Sequence, residues 1–147
     1  MEQLKGTVKA ICISTVRGVE KKAVSSARFI KDFGIEGDAH AGKWHRQVSL
    51  LSYEVIEAFK AQGAPITDGA FGENLIVSGF DFKNLPVGTR FVCNEVVLEM
   101  TQIGKECHQG CEIRRIMGDC IMPREGVFAR VIHGGHISVG DEMKIMR

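Results

Sequence analysis

Glycine sets the grain of this sequence. It makes up 17 of the 147 residues, about 12% against a usual ~7%, and falls in separate short clusters rather than one tract. Between the clusters lie short apolar runs rich in β-branched residues. A chain interrupted this often has little room for long helices and predicts many short strands joined by tight turns.

Taken in order, residues 7–14 read as a first, largely buried strand. Lys21 and Lys22 fall in a polar connection and read as a solvated turn. Residues 27–33 read as a second strand, and 47–51 as a third with Val48 and Leu50 on one face. Ser52 is placed as a helix N-cap with Glu54 in the first turn. Val55, Ile56 and Phe59 form the apolar stripe of a helix that runs to about Gln62 and stops at Gly63. That helix has a packing role. After a short strand at 75–77, the Val-Gly pairs at 87–88 and 139–140 each read as a turn opening an alternating strand. Asn94 breaks the first into a hairpin whose partner, 96–101, alternates cleanly. Residues 127–132 are another strand, and His133-Gly-Gly-His136 turns the chain into the last.

These are about eight strands with one or two short helices and no βαβ alternation. The expected fold is mainly β, a small closed or partly closed barrel in one domain spanning 1–147, because closure removes exposed edges. Sites on barrels gather on loops at one mouth. The loops at 36–45, 69–74, 104–111 and 123–135 would then surround a single pocket.

A formal net charge of +1 gives no electrostatic reason to expect nucleic acid or an anionic membrane surface as a partner. No run approaches the ~18 apolar residues of a membrane span, and the first ten residues lack the apolar core of a signal peptide. The cytoplasm is expected. The 5 cysteines are an odd number, and a reducing compartment favours thiols over bridges. Cys12 and Cys93, each in an apolar run, read as buried small hydrophobes.

The other three cysteines concentrate the chemistry. Cys107, Cys111 and Cys120 share one stretch with Lys105, His108, Arg114 and Arg115. A thiol is nucleophilic, or a good ligand for a soft metal, only as the thiolate, which neighbouring cations and a helix N-terminus favour. Ile113, Ile116 and Met117 have helical spacing and Gly118 is a plausible stop, which puts Cys107 at or just before a first turn. Such a cysteine suits acceptance of sulfur as a persulfide or ligation of a transition metal.

Two other chemistries stay open. Cys107, Cys111 and Cys120, with His108, His133 and His136, supply enough ligands for a zinc-stabilised binding module, although paired Cys-x2-Cys knuckles are missing. Glu36, Asp38, His40 and Glu73 are candidates for acid–base work, but carboxylates in glycine-rich loops more often bond their own backbone. Arg124 and Arg130 are candidates for bidentate contact with an anionic ligand.

Four segments in fixed order carry a resemblance: Gly34-Ile-Glu-Gly-Asp-Ala-His-Ala-Gly42, Gly69-Ala-Phe-Gly-Glu-Asn-Leu75, Gly-x-x-Cys at 104–107, and the terminal Val-Gly-Asp strand. Together they resemble the MOSC family, named for the C-terminal domain of molybdenum cofactor sulfurases, and in particular its short stand-alone bacterial members. The likeness covers roughly residues 6–146. It implies a barrel-like β fold with one functional cysteine, here Cys107, that carries sulfur or holds a molybdenum–pterin cofactor as metal ligand. Lys105 and His108 would activate it. Gly37, Asp38, His40, Gly72, Glu73 and Asn74 would line the pocket, and Arg130 would meet the pterin phosphate. Some relatives are molybdenum-dependent reductases of N-hydroxylated compounds that take electrons from a partner. Many members carry Arg and Pro ahead of the cysteine, where this chain has Lys105 and Glu106. Cys111 and Cys120 are extras that would resolve a persulfide or complete a metal site. The pyridoxal-phosphate domain of the sulfurases is not expected in this chain, so the sulfur would come from a partner such as a cysteine desulfurase. The recipient would be the molybdenum cofactor or a molybdoenzyme.

Overall fold

In the computed structural model, the described residues are 5–16, 21–63, 66–104 and 126–146. Eleven strands and one α-helix are found among them. The strands are β1 (Lys5–Ile13), β2 (Lys22–Val24), β3 (Ser26–Ile30), β4 (Gly34–Ile35), β5 (Val48–Ser52), β6 (Leu75–Ser78), β7 (Arg90–Cys93), β8 (Val96–Ile103), β9 (Val127–His133), β10 (Gly135–Ser138) and β11 (Glu142–Ile145). The helix α1 (Tyr53–Ala61) follows β5 directly, and Phe82–Asn84 forms a single 3-10 turn. Seven strands close a barrel in the order β1, β11, β7, β8, β9, β5, β6 and back to β1. The small β10-β3-β4 sheet packs onto it through Phe29, Ile35 and Ile137, which join the barrel's own core.

Alternation decides which side chains enter the barrel. On β8, Val96, Leu98 and Met100 point in, and Val127, Ala129 and Val131 do the same on β9. The paired strand β1 breaks this rhythm, since Val8 and Ile11 are both interior although three residues apart. A register shift against β6 between Val8 and Ala10 accounts for it. The extra residue of a bulge returns the following side chains to the required faces. Phe80, Phe82 and Phe91 meet at centroid separations of 5.4–5.6 Å, within the range of favourable edge and tilted contacts.

Outward-facing residues build a second core. Ala10, Cys12, Leu51, Ile76 and Phe128 on the barrel wall pack against Ile56 and Phe59 of α1 and against Ile66 and Phe71 of the loop that follows it. This is the packing role expected of the helix. Gly63 lies just beyond its end at φ 97°, its N–H donating to the Lys60 carbonyl. Ser52 occupies the N-cap position, but its hydroxyl bonds the Glu54 carboxylate at 3.3 Å rather than a backbone N–H.

Two expectations are corrected. The segment β5-α1-β6 is a βαβ crossover, because β5 and β6 pair in parallel with Leu50 opposite Leu75. Its brevity hides it: five and four strand residues around a nine-residue helix do not stand out as an alternation. The strand expected at 27–33 is also shorter. It ends at Ile30, and Asp32, at φ 52°, turns the chain into β4. Aspartate tolerates that left-handed conformation better than most residues.

Leu50 is fully buried inside the barrel, where the parallel pair meets β9. Leu50→Ala should lower the unfolding free energy by about 2–5 kcal/mol, read as a lower urea midpoint. The same truncation at Val139, 45% exposed, should change it by no more than about 0.5 kcal/mol.

Candidate functional site

The glycine-rich loop at 36–45 is organised by one carboxylate. Asp38 accepts from the His40 backbone N–H at 3.2 Å, the short local bond expected of an aspartate in such a loop. Its other oxygen reaches further, accepting from the Ser14 N–H at 3.1 Å and from the Lys21 ammonium at 2.6 Å. Both partners of that ion pair are buried, their side chains 1% and 0% exposed. Lys21 is therefore not the solvated turn residue expected, although its neighbour Lys22 is exposed. A charged pair taken from water persists only when geometry and further hydrogen bonds offset the desolvation. Asp38 supplies them through two backbone donors. No local pattern marks Lys21; its partner lies 17 residues away.

The same lysine ties in the second glycine-rich loop. Its backbone N–H donates to the Gly69 carbonyl at 3.0 Å. A Cβ at Gly69 would lie 2.1 Å from the Lys21 carbonyl oxygen, so this crossing accepts only glycine. Within the loop, the two oxygens of Glu73 accept from the N–H groups of Gly69 (3.1 Å) and Phe71 (3.0 Å). Burial pushes the Glu73 carboxyl up to about 7 against the opposing pull of these amides, with Asp68 adding to the rise. Asn74 works across strands. Its carbonyl accepts from the Ser49 N–H (2.9 Å) and hydroxyl (3.2 Å), and its amide donates to the Cys12 carbonyl at 3.0 Å. It splices β5 to β1 and is fully buried. Gly37 and Gly72 are turn positions, at φ 85° and 78°.

His40 sits on the rim of this arrangement, its side chain 27% exposed and Nδ1 4.0 Å from Asp38 Oδ2. Its ring stacks toward Trp44 at 6.5 Å between centroids, and the Trp44 indole N–H donates to the His40 carbonyl at 2.7 Å. Past Trp44 the loop reaches β8. Thr101 donates its hydroxyl to the His45 carbonyl, and the Gln102 side-chain oxygen contacts His45 Nε2 at 2.8 Å and Arg46 Nε at 3.3 Å. Gln102 also donates to the Gly104 carbonyl at 2.8 Å, and the Gly104 N–H donates to the Gly126 carbonyl at 2.6 Å. The chain thus leaves for residue 105 and returns from residue 125 beside Arg46 and His45. Gln102 is a second residue that sequence reasoning missed.

Lys105, Cys107, His108, Cys111, Cys120 and Arg124 lie outside the described residues. Arg130 is described, on β9. It pairs with Glu99 at 3.2 Å, which also pairs with Arg90 at 2.9 Å. The Arg90 bond is the largest cause holding the Glu99 carboxyl below its ordinary value. Arg130 rims a shallow hollow of about 580 Å³ with Lys43, Trp44 and His45. Residues 133–136 are not the turn into the last strand that was expected: His133 ends β9, and Gly135 and His136 open β10, which pairs with β3. His133 Nδ1 contacts the Glu95 carbonyl at 2.8 Å, and His136 borders a separate hollow of about 550 Å³ with Arg28 and Lys31. The structure thus links the 36–45 and 69–74 loops with the root of the cysteine segment, and places the β9–β10 junction at a different hollow. Among the described residues no group of three or more His, Cys, Asp or Glu side chains is arranged to hold a metal ion, and no helix is long and apolar enough to cross a membrane. Cys12 and Cys93 are buried as expected, and burial pushes each thiol up to about 12.

Residues 37–144, which take in the 69–74 loop, the cysteine segment and all but the first residue of the 36–45 loop, match the MOSC domain family. The chain belongs to the MOSC family. That family is associated with molybdenum-cofactor-binding proteins. The Bacillus subtilis protein YflK is 25% identical over 141 residues, covering 88% of this chain; the match spans 63% of YflK's own length. Among solved structures, the Bacillus subtilis YUAD protein superposes with a TM-score of 0.82 at 21% identity, covering 98% of this chain and 97% of that one. YiiM from Escherichia coli does so at 0.66 and 18%, covering 96% and 70%. At these identities the likeness to the solved structures is one of fold. This MOSC protein has the barrel-like β fold that the resemblance implied.

Glu73 generates a pH prediction. A carboxyl whose folded value is raised to about 7 binds its proton more readily folded than unfolded, so its contribution is complete below about 4.5 and lost as pH rises through about 7. The stability difference between wild type and Glu73→Gln should therefore shift against wild type between pH 5 and pH 8, by something on the order of 2–3 kcal/mol. Urea melts at the two pH values measure it. A difference that stays level, or moves the other way, excludes this role for Glu73.

Proposed function

We propose that this MOSC protein uses Cys107 as its working thiol, to accept sulfur as a persulfide on its way to a molybdenum centre or to hold a molybdenum–pterin cofactor. Membership of the MOSC family across the segment that contains Cys107 carries the reading. The described thiols support it by exclusion. Cys12 and Cys93 are fully buried with thiols pushed up to about 12, which leaves negligible thiolate at neutral pH. The cysteine segment is rooted beside Arg46 and His45, and Lys43 and Arg130 border the neighbouring hollow. Lys105 and Arg124 add further cations in sequence, and His108 an imidazole.

Positive charge near the thiol would suit both versions. In sulfur transfer, the Cys107 thiolate attacks the outer sulfur of a donor persulfide. The donor's S–S bond breaks, its thiolate leaves, and Cys107 becomes the new persulfide with no net oxidation. Positive charge stabilises the thiolate before attack and the persulfide anion after it. For cofactor binding, the thiolate would be a soft ligand for the metal, and arginines match the pterin's phosphate. Bound there, the cofactor would supply a redox-active metal. This chain's residues would supply the ligand, the charge and the wall formed by the 36–45 and 69–74 loops.

Incubation with a cysteine desulfurase and cysteine, followed by peptide mass spectrometry, should show one added sulfur on Cys107 and none at that position in Cys107→Ala. Extraction of protein expressed with ample molybdate should recover the pterin from wild type and at least tenfold less from Cys107→Ala if the thiol holds it. Sulfur on Cys12 or Cys93 instead, with no cofactor retained, would overturn the proposal.

A further inference from the structure

The buried ammonium of Lys21 acts at a distance on the exposed rim of the candidate site. It donates to Asp38 at 2.6 Å, and Asp38 fixes the His40 backbone at 3.2 Å and lies 4.0 Å from the His40 ring nitrogen. His40 in turn holds Trp44 through its carbonyl and its ring. The main chain of Lys21 is locked to Gly69 at a crossing with no space for a side chain. One residue therefore joins the end of β1, through the shared Asp38 bond to Ser14, to both glycine-rich loops.

We infer that Lys21 is a positioning residue, which through Asp38 sets the orientation and electrostatic surroundings of His40 and Trp44 on the site rim. Two features distinguish this role from ordinary packing. A buried lysine used only for stability is a poor choice, because a well-packed apolar residue of similar volume often serves as well or better. An apolar residue could not, however, neutralise the carboxylate that faces His40. With Lys21 present, Asp38 gives His40 a partner whose charge is already shared. Without it, an uncompensated carboxylate lies 4.0 Å from the ring and favours the imidazolium. The inference rests on the functional reading only in taking the 36–45 loop as part of the site.

The test is NMR titration of the His40 ring together with the Trp44 indole N–H signal, in wild type, Lys21→Met and Lys21→Arg. Lys21→Met should raise the His40 pKa by about half a unit or more and move the indole signal, while amides of β8 and β9 keep their wild-type positions. Lys21→Arg, which restores the charge, should bring the titration back toward wild type. If Lys21→Met does not fold, Asp38→Asn serves in its place: it removes the carboxylate's charge, and the His40 pKa should fall. A folded variant with unchanged His40 titration and unchanged indole signal overturns the inference. Persulfide formation at Cys107, followed in the same wild-type sample, separates the two proposals. No persulfide at Cys107 and no pterin retained by wild type, alongside a displaced His40, would defeat the functional reading and leave this one standing.

Discussion

Closure of the barrel rests on β1, which has to satisfy three neighbours in nine residues. Its first residues pair with β11, its middle with β6, and its last with β2. A straight strand could not bury Val8 and Ile11 inside while presenting Ala10 and Cys12 to the helix side. The bulge between Val8 and Ala10 resolves this, and both apolar clusters take residues from β1 as a result. With β1 held by β11 on one edge and β6 on the other, the seven-strand sheet has no free edge.

The loops inherit their positions from that frame. Asn74 is placed by the start of β6 and reaches both β5 and β1. The end of β1 brings Ser14 to Asp38, and the start of the β2 segment brings Lys21 to the same carboxylate. On the far side, Gln102 at the end of β8 fastens Arg46 and His45 beside the point where the cysteine segment begins. The two glycine-rich loops and that segment are distant in sequence, yet a short series of polar side chains joins them. Most of these side chains bond backbone groups, so the path is fixed by main-chain geometry rather than by mobile surface contacts.

Much of the frame was legible beforehand because β structure writes its period into the sequence. The clean alternation at 96–101 corresponds to β8, and the Val-Gly turns precede β7 and β11 as read. Ser52 and Gly63 bracket α1. The departures arise where period is not the deciding signal. The β5-α1-β6 crossover depends on two four- or five-residue strands being parallel, and strand direction leaves no mark in composition. The exposed pairing of Arg130 with Glu99 joins adjacent strands through a register that alternation alone does not number. For the site, the glycine-rich motifs located the loops, but the partners of Asp38, Asn74 and Glu73 had to be found in space.

From residues alone came the barrel class, the burial of Cys12 and Cys93, and the segments whose order matches the MOSC family. Each of these depends on local pattern: alternation, apolar runs, or motif order. Tertiary structure alone decided that Lys21 is buried against Asp38, that Asn74 joins two strands, and that the cysteine segment starts beside Arg46. The physical reason is range. Hydrophobic period is repeated along the chain and so is visible in it, whereas a single polar contact across 17 or 62 residues is specified once, by the fold that brings its partners together.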